Sequence, residues 1–194
     1  MLVDMIKQFN WVDILIIIIL FRIAYVAFKN GLTSDFFKFL GTIAAIYLSM
    51  HYYTLFSDWI GKQIPVAGEK LPLEFLDFLS FLSIAIIGYL IFVLVRIAFS
   101  RFIQMKAAPI LNKWGGLLLG IGRGFLLVGL LTFMLVISSI SYLKDSVTSS
   151  YSGKYLLKIA PATYSLLWNG FFSKIMPNEK FNETIPEIQK GLNQ

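Results

Sequence analysis

Residues 14–20 read Ile14-Leu15-Ile16-Ile17-Ile18-Ile19-Leu20, and the fold class turns on whether this run is strand or helix. Isoleucine suits a strand, where its branched side chain packs on a pleated surface. The run, however, sits inside an apolar segment that continues from Trp11 to Phe28, much longer than the strands of globular proteins. A bilayer core of about 30 Å is crossed by about 20 apolar residues in a helix, which satisfies its own backbone where there is no water. The first segment is therefore read as a membrane-spanning helix.

Three further segments meet the same test: Phe36 to about Phe56, about Phe75 to Phe99, and Trp114 to Ile140. The second is the weakest because it carries Lys38 and His51, and a re-entrant or interfacial helix is its alternative reading. Composition agrees, with 57% hydrophobic and 14% charged residues, where a soluble domain has about half and about a quarter. The expected fold class is an all-α integral membrane protein with about four transmembrane helices and a C-terminal amphipathic helical segment. Residues 1–140 form the expected transmembrane domain, and 141–194 a linker, an interfacial segment and a polar tail.

The net charge of +6 would suit a nucleic-acid partner. Its basic residues are instead spread between apolar runs, as membrane orientation requires, so lipid is the expected partner and nucleic acid is not. With no cysteine in the chain, thiol catalysis, disulfides and thiolate metal sites are excluded. Lys7 is offset by Asp4 and Asp13, and no Ala-x-Ala site follows the first apolar run, so that run is read as retained rather than cleaved.

Loop charges set the expected orientation. The first connection carries Lys29 and Lys38 against Asp35, and the third carries Arg96, Arg101, Lys106 and Lys113 with no acid. The second holds Asp58, Glu69, Glu74 and Asp77 against Lys62 and Lys70. The positive-inside rule then puts the first and third loops in the cytoplasm, with the second loop and both termini outside. Arg22, Arg96 and Arg123 fall toward the cytoplasmic face, where long side chains snorkel to water, and Asp13 toward the outer one.

Gly116, Gly120 and Gly124 recur every fourth residue, giving one face of the fourth helix a groove that lets another backbone approach. The readings are packing within the chain, a contact in a homo-oligomer, or a face lining a pore. Arg123 lies within that face, where it should snorkel or find an acidic or carbonyl partner, and reads as an anchor at the membrane surface, a structural latch, or an anion-facing group in a pathway. Arg22 has the same readings, and Asp13 reads as a helix cap or an ion-pathway carboxylate.

His51-Tyr52-Tyr53, Trp59 and the more distant Trp168 read as an interfacial belt. A single histidine without a cluster of other ligands is a poor metal site. No Gly-x-Ser-x-Gly, P-loop or His-Glu-x-x-His motif occurs, so no enzyme activity, metal or cofactor is expected. From Tyr155 to Met176 the chain reads as short helices broken at Pro161 and lying on the outer leaflet. Residues 178–194 read as a loosely ordered tail.

Taken together, several stretches resemble one family. They are Trp11-Val12-Asp13, Lys29-Asn30-Gly31 with Asp35, Gly41, His51-Tyr52-Tyr53, Gly116-x-x-x-Gly120-x-x-Arg123-Gly124, and Leu157-x-x-x-Pro161 with Trp168 beyond. In this order and spacing, across residues 10 to 175, the pattern resembles the colicin V production protein family of bacterial inner-membrane proteins. Two positions depart from it: Asn30 stands where the family usually has arginine, and Asn112-Lys113 where it has an acid–base pair. The resemblance implies a role in producing or exporting a peptide toxin, or more broadly in envelope physiology. A small oligomeric channel and a scaffold for partner membrane proteins are the alternatives.

Overall fold

A computed structural model describes residues 9–63, 72–100, 109–138 and 140–192, and all its regular structure is helical. Four helices are long and apolar enough to cross a membrane: α1 (Trp11–Asn30), α2 (Leu32–Gln63), α3 (Leu73–Ser100) and α4 (Pro109–Ile137). Shorter elements follow: α5 (Ser141–Ser149), α6 (Gly153–Leu156), α7 (Ile159–Leu167), a π-helical turn at Trp168–Phe172, α8 (Ser173–Ile175) and α9 (Thr184–Gly191). Of the loop charges used for orientation, Glu69, Lys70, Arg101 and Lys106 lie outside the described residues, as do Asp4 and Lys7.

The isoleucine run is helix, opened by a capping box. Asn10 accepts from the Val12 N–H at 2.9 Å, and Asp13 accepts from the Asn10 N–H at 2.9 Å, so donors left over at the helix start are satisfied. α1 shows one thin stripe to the protein (Val12, Asp13, Ile16, Ala27). Ile19, Leu20, Ile23 and Ala24 are half-buried, and the exposed remainder, including Phe21 at 76% exposure, is left for lipid.

α1 turns into α2 through Gly31 alone. Its φ of +79° is a conformation that a side chain disfavours. With no loop between them, α2 starts at Leu32, four residues before the expected Phe36. Asp35 is thereby a helical residue instead of a loop charge, and Lys38, counted with both the first connection and the second span, lies in the second turn of α2.

The weak hydropathy of α2 reflects its surroundings. Half of its most apolar window is buried in protein, against 22% for α1 and α3, because α2 lies between α3 and α4 and also meets α7. A central helix faces side chains and not acyl tails, so it tolerates polar residues. Its 32 residues make a continuous rod of about 48 Å at 1.5 Å per residue, which removes the re-entrant alternative. α1 packs on α4 and barely touches α2 beyond the turn, leaving a groove between α1 and α3.

The C-terminal residues close the end of the bundle where α1 begins. Pro161 does not break a helix there. It lies in the first turn of α7, where its missing N–H costs nothing. Residues 178–192 are not loose either: Ile185 is buried at 1% exposure, and the Asn182 side chain donates to the Met50 carbonyl at 2.8 Å.

Candidate functional site

The junction of α1 and α2 sets up a buried charge cluster. The Gly31 N–H donates back to the Ala27 carbonyl at 3.1 Å, and the Asp35 N–H donates to the Gly31 carbonyl at 3.2 Å, which places Asp35 in the first turn of α2. Across from it, α4 supplies Asn112, whose side-chain oxygen accepts the Leu32 N–H at 2.8 Å. Asn112 thus caps α2. An acid at this position could accept the same bond, so the departure from the family pattern leaves this contact intact.

Asp35 is fully buried. Its Oδ1 accepts from Lys38 Nζ at 3.1 Å and from Arg123 Nη1 at 3.4 Å. Arg123 is itself 6% exposed and does not snorkel, because α4 begins at Pro109 and places it in mid-helix. Its burial is tolerable because a carboxylate lies opposite. The other oxygen of Asp35 is buried and has no hydrogen-bond partner among the described residues.

A cavity of about 430 Å³ opens beside this cluster, lined by Ile19, Arg22, Ile23 and Val26 of α1, Lys38 of α2, Tyr89 of α3, and Arg123 and Leu127 of α4. Arg22 is exposed there and forms no ion pair with another described residue. One carboxylate against three cations leaves the lining positive. Among its lining residues are cations, a phenol and aliphatic side chains, and such a set can bind an anion by charge and hydrogen bonding.

The glycine face adjoins the cluster and meets α1. A Cβ on Gly116 would lie 2.7 Å from the Gly31 carbonyl carbon and 2.9 Å from the Ala27 oxygen. One on Gly120 would overlap the Ala27 methyl, and one on Gly124 would lie 2.9 Å from Leu20 Cδ2. This face lies against α1 of the same chain.

At the opposite end, Asp13 is 1% exposed and holds the turn before α6. It accepts from Ser150 Oγ at 2.8 Å, from the Ser152 N–H at 2.8 Å and from the Tyr151 N–H at 3.3 Å, and also from the Ser152 hydroxyl. It acts as a structural acceptor.

Three residues expected in an interfacial belt point inward: His51 at 3%, Tyr53 at 1% and Trp168 at 7% exposure. Tyr52 is half-buried and Trp59 exposed. The Asn182 N–H donates to Tyr164 Oη at 3.0 Å, leaving the phenol proton for His51 Nδ1 at 2.9 Å, and His51 Nε2 then donates to Glu179 at 3.2 Å. The His51 ring stacks on Tyr47 and Trp168. Burial pushes the Tyr164 phenol above its ordinary value, so at neutral pH it remains a donor.

Sequence reading missed the role of Asp35 and Lys38, counted as loop charges, and the Tyr164–Glu179–Asn182 contacts. The Asp–Lys spacing of three residues just after a glycine was the available signal for the first, since such a pair meets on one face of a helix start. No local signal pointed to the second.

Fold and site together define an all-helical membrane protein with a buried ion pair beside a cationic groove. The family model of the colicin V production protein matches residues 12–161, and the chain belongs to that family. That match runs through all four long helices and ends in the first turn of α7. No curated protein and no solved structure matches the chain significantly.

Proposed function

We propose that the protein is a non-enzymatic binding component of the bacterial inner membrane that supports toxin production or secretion, or envelope homeostasis more broadly, by holding an anionic group between α1 and α3. The observation that carries this reading is the convergence of Arg22, Lys38 and Arg123 on one cavity that Asp35 neutralises only in part. The Gly31 end of the bundle faces the cytoplasm in this reading, since Lys29, Arg96 and Lys113 gather there. The channel alternative loses support because its pathway was to use the glycine face, which α1 covers. The scaffold alternative gives the cations no task and ranks second.

The test is toxin release from a producing strain that carries Arg22→Gln. Arg22 is exposed to the groove and unpaired among the described residues, so the variant should reach the membrane at normal levels. Reduced release at normal protein level is expected. Undiminished release would remove the groove from the function.

A further inference from the structure

We infer that the anionic group held beside Arg22, Lys38 and Arg123 belongs to a membrane lipid, whose acyl chain lies along α3 and α4. This rests on the reading of the groove as an anion site and adds what the anion is attached to. A second cavity, of about 230 Å³, shares Tyr89 and Leu127 with the cationic one. Where they meet, the chemistry changes. The second cavity runs past Ala85 and Phe81 on α3 and past Leu131 and Met134 on α4, with Thr42 and Ala45 of α2 as its floor. From Tyr89 to Phe81 is eight residues along α3, about 12 Å of helix.

A positive head site joined to an apolar trough matches an anionic phospholipid at both ends. A soluble anion would use only the first. The depth is also suitable. Arg22 lies eight residues before Asn30 at the end of α1, about 12 Å along the axis, and Lys38 lies in the second turn of α2. Of these cations Arg22 is exposed, and its long side chain can extend toward the phosphate layer. Arg96, which donates to Ser34 Oγ at 3.3 Å, adds a cation nearer the Gly31 end.

The experiment uses the full chain in nanodiscs of phosphatidylcholine, with phosphatidylglycerol or glycerol phosphate added as the probe. Retained lipid is read by native mass spectrometry and stabilisation by thermal unfolding. Two variants divide the site: Arg22→Gln for the head, and Ile86→Trp for the trough, the latter replacing a side chain already 51% exposed. Phosphatidylglycerol should be retained over phosphatidylcholine. Arg22→Gln should weaken that retention about fivefold, as expected for one surface cation, and Ile86→Trp should weaken it as well.

Equal retention of the two lipids would overturn the inference. So would glycerol phosphate binding as tightly as phosphatidylglycerol with Ile86→Trp without effect, although the anion reading would then stand. Failure of both probes to bind would overturn the anion reading together with the lipid.

Discussion

Arg123 Nη1 of α4 lies 3.4 Å from Asp35 Oδ1 in the first turn of α2, and this contact joins two spans that are neighbours in space but not in sequence. Both side chains are buried. Their attraction offsets a desolvation cost that neither could meet alone.

Asp35→Asn should therefore destabilise the protein by about 3–5 kcal/mol, because Arg123 loses its counter-charge while still buried. Adding Arg123→Gln should recover part of the loss. Chemical unfolding in detergent of the single and double variants measures this. Strict additivity would mean that the two residues do not interact in the folded state.

Gly120→Ala should cost about 1–3 kcal/mol, the usual penalty for overpacking, because its methyl would overlap that of Ala27. Ala27→Gly in the same chain should restore stability. If the double variant melts no higher than Gly120→Ala alone, the α1–α4 approach is not what limits this position.

Asn112→Ala should lower stability by about 1 kcal/mol, the typical worth of a helix cap. Asn112→Asp should be neutral or better, since a carboxylate also favours the α2 N-terminus. A thermal melt that ranks aspartate below alanine would refute the capping role.

Alkali should act on the far end of the bundle. The folded Tyr164 ionises above its ordinary value of 10.0, so the unfolded chain loses that proton first. Stability from this group is complete below about pH 10 and falls as pH rises further. Tyr164→Phe should show a shallower alkaline decline than the native chain. Identical slopes would assign the alkaline loss to other groups.

The absence of native cysteine makes orientation easy to read. Lys180→Cys, at an exposed position of the C-terminal cap, should react with an impermeant thiol reagent in intact spheroplasts. Labelling only after lysis would invert the bundle.

The four long helices were legible in the sequence because each carries enough apolar residues to span lipid, whatever its neighbours. Where a helix met protein instead, legibility fell. α2 looked weak because hydropathy measures affinity for lipid, and α2 is surrounded by α3, α4 and α7. Asp35 was taken for a loop charge because apolar windows begin after charges, whereas the chain turns at Gly31 alone. The glycine face was visible at its spacing of four, but nothing local chose α1 as its partner. His51 read as interfacial for the same reason: Tyr164 and Glu179 lie 113 and 128 residues further on, and pairing at such separation is a property of the assembled fold.

The Asp13 carboxylate also has a consequence for the order in which the molecule is made. Ser150 and Ser152, which satisfy it, are synthesised 137 and 139 residues later. Throughout most of translation Asp13 therefore has only its local bond from the Asn10 N–H, and the arrival of the serine turn completes its set of donors. A chain cut short before that point lacks the contacts that tie the head of α1 to the C-terminal cap.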